Sequence, residues 1–178
     1  MDDFLSRIRA EQDVFKKLAS YIPGFGGYID RQNRRAADKL LREAVSRQFE
    51  ALWKQVSSLQ LELVQRGQIE VMDDIERAAL QLRTFADRIK TASYGYSGFF
   101  DAIKIDSAEL EQLYQFDLAF FELAKEIEQT LQTLSNAPED PAALMQGIRQ
   151  LIALTTQANQ IFDRRQEVLS GSAPQTGS

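Results

Sequence analysis

The chain is 178 residues long, 44% hydrophobic and 26% charged, with a formal net charge of −5, which fits one globular domain with a sizeable core. It has no cysteine and no histidine, which excludes a disulfide framework, thiolate and imidazole metal sites, a cysteine nucleophile and the usual imidazole general base. The acidic balance, with basic residues gathered in one short cluster, disfavours nucleic acid as a partner.

The chain begins Met1-Asp2-Asp3-Phe4-Leu5-Ser6-Arg7, which is acidic and has no apolar run, so it does not read as a secretory signal. No stretch reaches the apolar length of a membrane span. These features give the expectation of a cytoplasmic protein. A ferritin-like di-iron site would need Glu-x-x-His on its helices, and a chain without histidine cannot supply it. No cofactor and no metal is expected.

The first helix is predicted from about Asp2 to Ser20, with Phe4, Ile8, Phe15, Leu18 and Ile22 on one face. Pro23 stops it, and Tyr21-Ile22-Pro23-Gly24-Phe25-Gly26-Gly27-Tyr28 reads as a glycine and aromatic connector. Asp30 can cap the second helix, which opens with Arg31, Arg34, Arg35, Lys39 and Arg42. Ala37, Leu41, Val45, Phe49, Leu52, Val56, Leu59 and Leu63 make its buried stripe, and Gly67 is a natural left-handed stop.

The third helix has the cleanest seam, with Met72, Ile75, Ala79, Leu82, Ala86 and Ile89 at alternating spacings of three and four. It ends near Lys90. A second connector follows, Tyr94-Gly95-Tyr96-Ser97-Gly98-Phe99-Phe100-Asp101. The fourth helix starts at Asp106 with Glu109 three residues on, a capping-box arrangement. Leu110, Leu113, Phe120, Ala124, Ile127, Leu131 and Leu134 form its seam, into which Asp117 falls where an apolar residue belongs. After a turn over residues 135–140, Asp140-Pro141 opens a fifth helix carrying Leu144, Ile148, Leu151, Thr155, Ala158, Phe162 and Leu169 to about Ser170. Residues 171–178 are nearly without apolar side chains and are expected to be a disordered tail to a single domain spanning 1–170.

The fold class expected is therefore all-α, an antiparallel bundle of about five helices. Alternating directions place both glycine and aromatic connectors at one end. Two readings of that end stand side by side. Either the rings cap the core, with their hydroxyls on nearby carbonyls, or they form an exposed patch for a partner or a lipid interface. The basic cluster from Arg31 to Lys39, at a local charge of +3, sits where a helix dipole favours acidic residues. Either it pairs internally with Asp30, Asp38, Asp87 or Asp101, or Arg34, Arg35 and the free amides hold an anion such as a phosphate or lipid head group. Gly24-Phe25-Gly26-Gly27 lacks the strand, spacing and lysine of a phosphate-binding loop. Asp117 is expected to turn outward or to meet an arginine such as Arg83 or Arg88.

With its Pro-Gly-x-Gly-Gly-Tyr and Tyr-Gly-Tyr-Ser-Gly-Phe-Phe connectors, the Arg34–Arg42 segment and Leu113–Asp117, the chain resembles an uncharacterised family of small bacterial helical proteins. The resemblance spans roughly Asp2 to Leu134. It implies a cytoplasmic bacterial bundle associated with neighbours of the band-7 membrane-scaffold type, and carries no catalytic residue.

The reading that results is a non-enzymatic interaction or adaptor protein, binding a protein partner through Tyr28, Arg31, Arg34, Arg35, Tyr94, Tyr96, Phe99 and Phe100. The alternative is peripheral binding to an anionic membrane surface at the inner face by the same residues. A third is an enzyme using Asp, Arg and Tyr, for which a pocket lined by Arg34, Asp38 and Asp117 would speak. The first helix, apolar on one face and set apart by a glycine hinge, could pack on its own bundle or make a homo-oligomer.

Overall fold

The computed structural model describes residues 13–30, 34–92, 107–136 and 140–170. The described part of helix α1 is residues 13–21; α2 is Phe25–Asp30, α3 Arg34–Gln65, α4 Met72–Thr91, α5 Ser107–Ser135 and α6 Pro141–Ser170, with a 3-10 turn at Ile69–Val71 before α4. The protein is an all-helical bundle, and no strand occurs among the described residues.

The helix ends follow local chemistry. Gly67 takes φ 74°, the Gln68 amide donates to the Leu63 carbonyl at 2.9 Å, and the Gly67 amide donates to the Val64 carbonyl at 3.0 Å. That is the Schellman arrangement, which satisfies carbonyls left over at the end of α3. Helix α4 has Asp73 and Asp74 in its first turn and Arg88 and Lys90 in its last, both complementing its dipole. Asp140 caps α6, its Oδ1 accepting from the Ala142 amide at 3.0 Å, and Pro141 follows as the first residue of the helix.

One predicted element is corrected. The stretch Phe25-Gly26-Gly27-Tyr28-Ile29-Asp30 is a helix, not an open connector, which brings the count among the described residues to six. Glycine is a poor helix former. Here burial decides, because Ile22 and Phe25 are fully enclosed in the core. The turn between α1 and α2 is made at Pro23 and at Gly24, whose φ of 82° suits only glycine well.

The four long helices are arranged in the cyclic order α3, α4, α6, α5. Paired side chains give their directions. Ser46 and Trp53 of α3 meet Ala86 and Arg83 of α4, so these two run antiparallel. Gln81 and Arg88 of α4 meet Thr156 and Asp163 of α6, so that pair runs parallel. Gly147 lies against Leu134, and Arg165 against Asp117, so α5 and α6 are antiparallel. The expected alternation of direction from each long helix to the next therefore holds, α4 and α5 being antiparallel as well but lying diagonally across the core, while the parallel neighbours α4 and α6 are not consecutive in the chain.

Phe85 of α4 is the centre of that core. Its ring lies 4.2 Å from Phe49 of α3, 4.9 Å from Phe120 of α5 and 6.2 Å from Phe162 of α6, so one aromatic layer joins all four long helices. Helix α1 lies on the outside of α5. Phe15 is tilted against Tyr114 at 4.9 Å, and Tyr21 is stacked on Phe121 at 4.8 Å. Helix α2 then doubles back beside α3, and Phe25 meets Tyr114 edge-on at 6.1 Å. Among the described residues, no helix is long and apolar enough to cross a membrane.

Candidate functional site

The start of α3, the end of α4, the start of α5 and the end of α6 all lie at one end of the bundle, since Arg165 of α6 reaches both Asp38 of α3 and Asp117 of α5. The segments 31–33 and 93–106 therefore both attach at this end. Of the residues expected to bind, Tyr28 lies in α2, and Arg34 and Arg35 open α3. Arg31, Tyr94, Tyr96, Phe99 and Phe100 lie outside the described residues, as do Asp106 and the tail 171–178. In the first connector the two rings described differ in burial. Phe25 is fully buried, and Tyr21, partly exposed, stacks on Phe121.

Inside this end is a charged cluster that the sequence reading only half identified. Arg165 is fully buried, and Asp117, Arg42 and Asp38 are nearly so. Arg165 Nε donates to Asp117 Oδ1 at 2.9 Å, while its Nη2 donates to Asp38 Oδ1 at 2.6 Å and to Asp117 Oδ2 at 3.5 Å. Arg42 Nε donates to Asp38 Oδ2 at 2.7 Å, one helical turn along α3. Two carboxylates and two guanidinium groups neutralise one another in the interior. Burial pushes the Asp117 carboxyl up to about 6, against the pull of Arg165, with the nearby Asp38 charge acting in the same upward direction.

The arginine expected for Asp117 was Arg83 or Arg88, and this is corrected. Arg83 lies over the Trp53 ring at 5.6 Å, and Arg88 lies over Phe162 at 4.4 Å while bonding Asn159 at 3.2 Å and Asp163. The partner is Arg165, and its signal was present. The α6 seam steps from Phe162 to Leu169, and the skipped position between them is 165. An acid and an arginine occupying seam positions on two helices are the natural pair for one another.

The same cluster bears on the basic start of α3. Both oxygens of Asp38 are held by Arg42 and Arg165, and Asp87 lies on the exposed face 4.0 Å from Arg83. Lys39 pairs with Glu43 at 3.9 Å. The two expected counter-charges described here are thus engaged elsewhere. Asp38 and Asp117 do come together, as an enzyme reading would ask, but they are enclosed in the core rather than facing a pocket. A cavity lies on the α5/α6 side, a groove of about 450 Å³ lined by Glu126, Gln129, Thr130, Thr133, Gly147 and Gln150. Among the described residues, no group of three or more acidic side chains gathers to hold a metal ion.

No protein-family model matches the chain, and neither a curated protein nor a solved structure matches it significantly.

Proposed function

We propose that this protein is a non-enzymatic interaction protein, which docks a protein partner at the end of the bundle where α3 begins. The observation that supports this reading is the engagement of Asp38. Its two oxygens hold Arg42 and Arg165, so it is not spent on balancing Arg31, Arg34 and Arg35. The first turn of α3 contains no acidic residue, and the helix dipole adds positive potential to that of the arginines. A partner carrying acidic side chains would meet a helix start with surplus positive charge, flanked by the attachment points of the aromatic connectors.

The test compares the wild type with an Arg34→Ala/Arg35→Ala/Phe99→Ala chain in pull-downs from cell lysate, after matching their helical circular dichroism. Partners held by the wild type and lost by the variant are expected, and an identical set held by both would overturn the proposal. Co-flotation with anionic vesicles, lost at high salt and in the variant, would replace the protein partner by a membrane surface.

A further inference from the structure

We propose that the groove between α5 and α6 is a binding site for a small primary-amine cation, held by Glu126 and Thr130 from α5 and by Gln150 from α6.

At about 450 Å³ the groove is large enough for a small metabolite. Its chemistry is one-sided. Both of its threonines direct their hydroxyl protons back to their own helix: Thr130 Oγ1 donates to the Glu126 carbonyl at 2.9 Å, and Thr133 Oγ1 donates to the Gln129 carbonyl at 3.0 Å. What these hydroxyls have left for the groove is lone pairs. Thr130 is 6% exposed, so its oxygen belongs to the floor rather than the rim. Beside it is the Glu126 carboxylate, a pure acceptor that makes no ion pair or hydrogen bond among the described residues.

This lining selects among ligands. An anion would meet the carboxylate without a compensating charge, because no lysine or arginine lines the groove. Lys125 and Arg149, the nearest in sequence, fall about 100° and 200° round their helices from Glu126 and Gly147. A flat apolar ligand has no ring to lie on. A metal ion takes several oxygen ligands, and no group of three or more acidic side chains gathers among the described residues.

A cation that brings its own N–H donors fits all of these conditions. A primary ammonium has three donors and no acceptor. Glu126 and Thr130 are one turn apart on the same face of α5, so one ammonium reaches both the carboxylate and the hydroxyl, with the Gln150 amide oxygen offered from α6. One turn before Glu126 on that face is Glu122, also exposed, which adds negative potential at the mouth.

Putrescine is the probe, titrated into the full chain at low salt by calorimetry and by amide NMR. Tetramethylammonium, a cation with no N–H donor, is the competitor. Three variants, each first matched to the wild type by circular dichroism, are compared. Glu126→Gln removes the charge, and Thr130→Val removes the hydroxyl at nearly constant shape. Glu128→Gln changes the net charge equally but lies about 200° round α5 from Glu126. We expect saturable putrescine binding with shifts at residues 126–133 and 147–150, which tetramethylammonium does not displace. Glu126→Gln should weaken it by roughly tenfold or more, Thr130→Val should weaken it several-fold, and Glu128→Gln should leave it unchanged. Shifts that do not saturate, or that saturate elsewhere on the bundle, would overturn the proposal. Equal losses in Glu126→Gln and Glu128→Gln would overturn it too, since they would reduce the binding to a general attraction to a chain of net charge −5.

Discussion

Arg165 and Asp117 meet in the interior of the bundle, Nε to Oδ1 at 2.9 Å, with side chains only 1% and 3% exposed. Removing charges from water is expensive, and their attraction repays it only while every partner is in place. Replacing Arg165 with methionine would strand the Asp117 carboxylate in an apolar environment and leave Asp38 with Arg42 alone. Arg165→Met should lose roughly 3–5 kcal/mol in urea unfolding. Adding Asp117→Leu should restore much of that loss, since Asp38 keeps Arg42.

The pH dependence of stability has a definite sign. Asp117 rises from its ordinary 3.8 to about 6 in the fold, mainly by burial. The folded chain therefore holds this proton more tightly than the unfolded one. The resulting stabilisation is complete below about pH 4 and is lost as the pH climbs through about 6. Its full extent is roughly 3 kcal/mol. Chemical denaturation of the wild type between pH 4 and 7 should show this decline relative to Asp117→Asn, in which the group does not titrate. Parallel curves for the two chains would contradict it.

Phe85 touches a ring from each of the other three long helices. Phe85→Ala should cost about 3–5 kcal/mol, and more than Phe162→Ala, whose ring has solvent-side company from Arg88. Thermal unfolding of the two variants against the wild type checks the order.

Gly147 lets α5 and α6 approach closely. In Gly147→Ala the gain in helix propensity, about 1 kcal/mol, opposes a clash with Leu134, which is itself buried and has little room to turn. The clash should prevail, with a net loss of about 1–2 kcal/mol. A second change, Leu134→Ala, should make the added methyl favourable, so a double-mutant cycle reads the coupling directly.

Much of this fold is legible in residues whose roles are local. Gly67 and Asp140-Pro141 ended and began helices where expected, because caps and left-handed turns depend on a few neighbours. The hydrophobic seams located the buried faces of α3, α5 and α6. A strict seam of threes and fours nevertheless omitted Phe85 and Ala78, both buried, because a helix with three neighbours buries a wider stripe than a two-helix seam. Helix α2 was missed because its glycines speak against a helix and only burial of Phe25 from a distance speaks for one. The cyclic order of the helices was likewise out of reach, since periodicity shows which face is buried and not against what. At the candidate site, the charges of Asp38, Arg42 and Asp117 were visible, but not that Arg165, over a hundred positions from Asp38, closes the cluster.

That cluster has a consequence for assembly of the chain. The α3–α4 hairpin contains Asp38 and Arg42, already joined at 2.7 Å along one helix, and the α5–α6 hairpin contains Asp117 and Arg165. Each hairpin is built from contacts close in sequence, the kind that form early. When the halves come together, each thus presents one acid with one base and no net charge at the joining surface. The step that seals the core desolvates two neutral pairs instead of four separate ions. The barrier to docking stays low, although the finished interior holds four ionisable side chains.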